Sequence, residues 1–126
     1  MRHLSTLAAV LAVALASSPL VPSPAAADTT AADARAVESR KLNEIVEAYF
    51  EEVLKLNPPL ATSIGDPRYN DRFEVTISPE WRARAERLQR DYLERIGTVD
   101  PALLTGQDAL TYEIFRTGRE RDIEGF

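Results

Sequence analysis

The sequence predicts an all-α fold in which short turns join three main helices. Two apolar stripes support this prediction, one within residues 34–56 and one within residues 79–96. In both stripes the hydrophobic residues recur at intervals of three and four, as they do along one face of a helix. Prolines and glycines stand between the periodic segments, and these residues mark the places where helices start and stop.

The first helix is expected at residues 34–56. Asn57-Pro58 ends it, because a residue that precedes proline is disfavoured in the helical region. A short helix then covers residues 59–65, with Gly65 in the left-handed position just past its end. The apolar face of the first helix comprises Leu42, Ile45, Val46, Tyr49, Phe50, Val53 and Leu54.

The second helix is expected at residues 79–96. Ser78 is suited to be its N-cap, Pro79 suits the first helical position, and Gly97 follows its end. Residues 73–77 alternate apolar and polar side chains before it. Because no second strand-like segment is near, we expect an extended connector there.

The third helix is expected at residues 107–124. Asp100-Pro101 starts a short turn ahead of it, and Thr105 with Asp108 resembles a capping box. Leu110 and Ile114 are expected to face the core, together with Phe115 or Tyr112. The helical pattern runs to the last residues without a closing element, so residues 34–126 are expected to be a helical segment that is incomplete at its C-terminus.

The first 27 residues are typical of a secretory signal peptide. A basic start, an apolar run from Leu4 to Ala16 and a small-residue A-x-A exit at Ala25 to Ala27 define this pattern. Residues 28–33 then form a flexible mature N-terminus. The prediction is an exported protein, periplasmic or secreted, that is not held in a membrane after signal cleavage.

Composition excludes several kinds of chemistry. The chain has no cysteine, and its one histidine is His3, within the signal peptide. Residues 28–126 therefore offer neither the usual zinc ligands nor a Ser-His or Cys-His nucleophile pair. A net charge of −5 argues against a nucleic-acid partner, which would need a basic surface. The sequence predicts no catalytic, cofactor-binding or metal-binding residue in this chain.

The stretch SIGDPRYNDRF, residues 63–73, carries the candidate site. One interpretation is a structural turn with Arg–Asp pairs, since Gly, Pro, Asn and Asp are turn residues. The other is that the stretch lines a cleft in a longer relative. A carboxylate acid–base pair is disfavoured, because the neighbouring arginines would keep both aspartates ionised. The candidate residues are Gly65, Asp66, Arg68, Tyr69, Asp71 and Arg72.

The ordered segments YFEEVLKLNPPLATSIGDPRYNDRF and SPEWRARAERLQRDYLERIGTVDPALLTGQDALTYEIFR resemble the opening of the bacterial domain-of-unknown-function 885 family (DUF885). Members begin with an amphipathic helix and an A-T-x-x-G-D-x-R-Y-x-D-R segment. A Ser-started helix and a D-P-x-x-L-x-x-x-D-x-L-x-Y step follow. The resemblance covers about residues 42–118. The matching positions are Pro59, Ala61, Thr62, Gly65, Asp66, Arg68, Tyr69, Asp71, Arg72, Leu88, Ile96, Asp100, Leu104, Asp108 and Tyr112.

The resemblance implies the N-terminal helical part of a larger, mostly helical protein similar to zinc metallopeptidases. The family's His-Glu metal motif lies far downstream, and this sequence does not contain it. The chain is therefore expected to be inactive alone, with zinc implied only for a full-length relative. Its expected partner is the rest of the parent polypeptide or a second copy. The alternative is an autonomous periplasmic helical module that binds another protein.

Overall fold

The computed structural model describes residues 24–126. This part of the chain is helical and contains no strand, which confirms the all-α prediction. The signal-peptide prediction for residues 1–27 lies largely outside the described residues and stays a prediction. Four α-helices and two short 3-10 turns follow one another: α1 (Pro24–Leu56), α2 (Pro58–Ser63), the first 3-10 turn (Pro67–Tyr69), α3 (Pro79–Ile96), the second 3-10 turn (Pro101–Leu103) and α4 (Gly106–Glu124).

Helix α1 is longer than the sequence predicts. It begins at Pro24, so residues 28–33 are helical. The predicted start of the helix at residue 34 is therefore wrong. The reason is composition, since Ala31, Ala32 and Ala34 are strong helix formers. Flexibility of residues 28–33 concerns motion and stays a prediction. The predicted end at Leu56, ahead of Asn57-Pro58, is confirmed.

Helix α3 has the predicted bounds because its start signals act locally. The Ser78 side chain accepts a hydrogen bond from the Trp81 backbone N–H at 3.1 Å. This bond satisfies one of the donors that a helix start leaves without a partner. Ala85, Tyr92 and Ile96 of its apolar stripe are buried, and α3 packs against both α4 and α1.

Helix α4 buries the aromatic part of the predicted core-facing set and exposes its aliphatic part. Leu110 is 53% exposed and Ile114 is 64% exposed, whereas Tyr112 and Phe115 are buried. The expectation that Leu110 and Ile114 face the core is wrong because α4 turns its two aromatic rings toward α1 and α3. These rings remove more apolar area from water than the aliphatic side chains would.

The predicted capping box at the start of α4 is also wrong. Thr105 makes no capping hydrogen bond through its side chain. Asp108 instead accepts a hydrogen bond from the hydroxyl of Ser39, on α1. The Asp108 carboxylate, which local spacing assigns to the cap, is therefore bonded to a residue of another helix.

Two groups of buried side chains hold the helices together. The main core joins α1, α3 and α4, and a smaller cluster lies where α1 meets α2 and the first 3-10 turn. The smaller cluster fixes the position of the candidate turn. The main core comprises Leu42, Tyr92, Ile96, Val99, Leu104, Tyr112 and Phe115, and the smaller one Leu54, Ala61 and Tyr69.

The connector before α3 contains no strand, and its last part is a turn in which the Ser78 N–H donates to the Val75 carbonyl. Residues 72–75 have no regular secondary structure, and Phe73 and Ile77 are 84% and 86% exposed. Across residues 24–126, no helix has both the length and the hydropathy that a membrane span requires.

Candidate functional site

The candidate turn begins at Gly65, which ends α2. Its φ is +83°, in the left-handed region that the sequence predicts for it. The Gly65 N–H donates to the Thr62 carbonyl, and the Asp66 N–H donates to the Ala61 carbonyl. Glycine is suited to this position because a Cβ is disfavoured at positive φ. Gly65 therefore has a structural role.

Asp66 and Arg68 form a compact hydrogen-bonded unit. Asp66 Oδ1 accepts from the Arg68 backbone N–H at 3.0 Å and so caps the first 3-10 turn. The Arg68 guanidinium also donates to the Asp66 carboxylate, with Nη2 2.6 Å from Oδ2. It also donates to both carboxylate oxygens of Glu51, from Nη1 at 2.9 Å and from Nη2 at 3.0 Å. The predicted pairing of Arg68 with an aspartate is confirmed, and Glu51 of α1 is an additional partner.

Sequence reasoning missed Glu51. It lies 17 residues before Arg68. Within its own helix it is only one of several glutamates beside the apolar stripe. No local spacing links it to the turn, so only the packing of α2 against α1 brings the two side chains together.

The positive charge of Arg68 keeps the carboxyl groups of Glu51 and Asp66 ionised. Hydrogen bonds from Arg68 hold the pKa of the Glu51 carboxyl below its usual value. The same side chain, together with its backbone N–H, lowers the pKa of Asp66. Both carboxylates in turn raise the pKa of Arg68. Both acids therefore stay ionised at neutral pH, and neither can act there as a general acid.

Tyr69, Asp71 and Arg72 complete the candidate set. Tyr69 is buried in the smaller cluster, and the guanidinium carbons of Arg68 and Arg72 lie 5.4 and 5.5 Å from the centre of its ring. Asp71 is exposed, and within the described part of the chain it forms no ion pair with Arg72. The six residues lie together as one structured turn. Whether they also line a cleft in a longer protein stays a prediction.

A second polar cluster, which the sequence did not indicate, lies where α1 and α3 meet the end of α4. The Tyr49 hydroxyl donates to Gln89 Oε1 at 3.1 Å. Gln89 is only 8% exposed and is the one buried polar residue among those described. Its position could have been found, because Gln89 falls at helical spacing between Ala85 and Tyr92 on the buried face of α3.

Arg119 of α4 is packed against this cluster. Its guanidinium carbon lies 3.9 Å from the centre of the Tyr49 ring and 4.8 Å from that of Phe115. Nη2 donates to Asp122 at 2.8 Å, while the buried Nε has no hydrogen-bond partner. Burial raises the pKa of the Tyr49 hydroxyl. Tyr49 therefore remains a neutral donor at neutral pH.

A cleft of about 410 Å³ opens beside this cluster. Its walls come from α1, α3 and the last turn of α4. They combine apolar and aromatic side chains with a few polar ones, which is the usual make-up of a small-ligand site. Residues that line it include Tyr49, Val53, Leu56, Trp81, Leu88, Gln89, Arg121, Asp122 and Phe126.

The structure adds no support for a metal site, and the comparisons add none for the family resemblance. Within residues 24–126, no group of three or more His, Cys, Asp or Glu side chains is placed to hold a metal ion. Comparisons of the chain with protein-family models, with curated proteins and with solved structures find no match. The resemblance to the DUF885 family therefore rests on the residues that carry it.

Proposed function

We propose that this chain is the N-terminal helical part of an exported, metallopeptidase-like protein of the DUF885 type. In this proposal it supports and positions further polypeptide and does not itself catalyse a reaction. The ordered motifs support the family assignment. One structural observation carries the supporting role: α4 exposes two large aliphatic side chains in addition to the aromatic ones that it buries.

The two faces of α4 have different surroundings. Tyr112 and Phe115 pack into the main core, whereas Leu110 and Ile114 are mostly exposed. Residues four apart on a helix are neighbours on one face, so these two side chains form a small exposed apolar patch. The outer face of Leu110 and Ile114 is thus suited to cover, or be covered by, another part of a parent protein.

Catalysis is assigned to residues outside this part of the chain. Catalytic zinc sites use histidine ligands, and residues 24–126 contain no histidine or cysteine. Asp66 and Glu51 are held ionised by Arg68 and are engaged in the turn. Any zinc ion of a full-length relative would accordingly be held by polypeptide outside residues 24–126.

Two measurements test this proposal. Sequencing the locus beyond codon 126 is expected to show a reading frame that continues to a His-Glu motif; a true stop codon with no such frame would contradict the assignment. A peptide-hydrolysis assay on the purified chain, with zinc and with a chelator, is expected to show no activity. Peptide cleavage that withstands the chelator and purifies with the chain would contradict the non-catalytic role.

An autonomous interaction module is the second candidate. The observation in its favour is the main core, which side chains of α1, α3, α4 and the segment between α3 and α4 form together. Native-state hydrogen exchange separates the two candidates. Cooperative protection of the three helices in the isolated chain favours a module, whereas exchange near the rate of an unfolded chain favours a part that needs its parent.

A further inference from the structure

We propose that the cleft between α1, α3 and the end of α4 binds a small aromatic carboxylate. In this site Trp81 and Leu88 contact the ring, while the Gln89 amide and the Arg121 guanidinium bind the carboxylate. The cavity volume of about 410 Å³ lies within the range of small-molecule sites. This inference does not depend on the metallopeptidase resemblance, because it uses only residues that line the cleft.

The apolar wall is held in place. Trp81 donates its indole N–H to the Leu56 carbonyl at 2.9 Å. The polar atom of Trp81 is therefore already satisfied, and the orientation of the indole is set by α1. Val53 and Leu88 line the same cleft. A planar, apolar group is suited to this wall, since aromatic rings pack well against an indole.

Gln89 supplies a hydrogen-bond donor. Its carbonyl oxygen accepts from the Tyr49 hydroxyl, while its amide NH₂ has no acceptor among residues 24–126. Gln89 is 8% exposed, yet its amide nitrogen is not among the fully buried atoms of residues 24–126 that lack a partner, so it is accessible from the cleft. An accessible amide NH₂ can donate a hydrogen bond to a ligand oxygen.

Arg121 supplies the charge at the rim of the cleft. Asp122, the other charged residue in the lining, is already bonded to Arg119. Arg121 is exposed and forms no ion pair with any residue that the structure describes. The cleft therefore has one unpaired positive charge next to an apolar wall. A carboxylate is the anion that a guanidinium binds with two parallel hydrogen bonds.

The test uses 3-phenylpropionate as the probe and Trp81 as the reporter. Trp81 is the only tryptophan of the chain, so a change in tryptophan fluorescence reports on this cleft. Titration of the full chain with 3-phenylpropionate is expected to give a saturable change. We expect 3-phenylpropanamide, which lacks the charge, and propionate, which lacks the ring, each to bind about tenfold more weakly or worse.

Two arginine variants on α4 provide the matched comparison. Arg121→Gln is expected to weaken binding of 3-phenylpropionate about tenfold, because one charged hydrogen-bonding group is lost. Arg116→Gln removes an exposed arginine that pairs with Glu120, outside the cleft, and is expected to leave binding unchanged. Circular dichroism of both variants checks that the helices are retained.

Four results would overturn the proposal. The first is the absence of a saturable signal for 3-phenylpropionate in both fluorescence and backbone amide NMR shifts. The second is equal affinity for the acid and its amide. The third is equal affinity of the Arg121→Gln variant and the unchanged chain. Shifts that cluster away from Tyr49, Trp81 and Gln89 would likewise reject this cleft as the site.

Discussion

Arg68 in the first 3-10 turn and Glu51 on α1 are joined by two hydrogen bonds of 2.9 and 3.0 Å. Arg68 also bonds Asp66, so one side chain connects the turn to α1. Tyr69, the next residue, is buried against Leu54 of the same helix. The turn is therefore attached to α1 by an exposed charged pair and by a buried ring.

Arg68→Ala is expected to lower the melting temperature by only a few degrees, because exposed ion pairs contribute little to stability. The side chains of Arg68 and Glu51 are 52% and 43% exposed. Thermal unfolding followed by circular dichroism measures the effect. Arg90→Ala, which removes the exposed pair with Glu86 on α3, is the control. It should lower the melting temperature no more than Arg68→Ala does. Global unfolding of the Arg68→Ala chain would show that the turn bears far more of the stability than these contacts indicate.

The same unit makes stability depend on pH. The pKa values of Glu51 and Asp66 are lowered in the folded chain by Arg68, below ordinary values of 4.5 and 3.8. Their contribution is therefore present above those ordinary values and is lost as the pH falls through the lower, folded pKa values. Urea unfolding from about pH 7 to about pH 3 should show a modest decline. The decline should be shallower in Arg68→Ala, and identical slopes would contradict this origin.

Arg119 stabilises the folded chain more through its packing against aromatic rings than through its charge. Arg119→Ala is expected to destabilise the chain by about 1–2 kcal/mol, since it removes contacts with the Tyr49 and Phe115 rings. Arg119→Met should cost less, because it keeps the aliphatic packing and removes a buried Nε that lacks a partner. Urea unfolding of both variants measures the difference. A larger loss for Arg119→Met than for Arg119→Ala would contradict this account.

Two neighbouring residues on α4 test which face is buried. Phe115→Ala is expected to destabilise the chain by about 3–5 kcal/mol, because it leaves a cavity in the main core. Ile114→Ser should change stability by less than about 0.5 kcal/mol, because Ile114 is 64% exposed. Chemical denaturation gives both values. Comparable losses would mean that Ile114 is buried in solution, by a partner or by a second copy.

Two glycine substitutions are expected to have opposite signs. Gly65→Ala should destabilise by about 1–2 kcal/mol because alanine disfavours the φ of +83°, although no atom lies within 4 Å of the added Cβ. Gly118→Ala lies within α4 and also meets nothing within 4 Å. It should stabilise by about 0.5–1 kcal/mol through helix propensity. Thermal melts of the pair measure the contrast, and a shift of the same sign in both would contradict it.

The accuracy of the sequence predictions follows the range of the interactions involved. Ser78 and Pro79 mark the start of α3 correctly, since a cap acts within one helical turn. Gly65 is predicted correctly for the same reason. Periodicity shows that α4 is a helix but does not select its buried face. That choice depends on which side chains α1 and α3 leave room for.

The residues that line the cleft also differ in whether local sequence signals or helix packing places them. The sequence places Gln89 and Trp81 on one helix, but nothing local brings Tyr49 or Arg121 toward them. These residues meet only because α1 and the end of α4 pack on the same side of α3. Pairings across helices depend on packing geometry, which spacing along the chain does not encode residue by residue.

The sequence by itself determined the all-α class, the bounds of α3, the end of α1 and the turn at Gly65, because caps, prolines and glycines act on their immediate neighbours. Only the tertiary structure decided that Arg68 pairs with Glu51, that α4 exposes Leu110 and Ile114, and that a cleft opens beside Gln89. The physical reason is distance along the chain. These contacts join residues that are far apart in sequence, and their partners are selected when the apolar faces of the helices pack together.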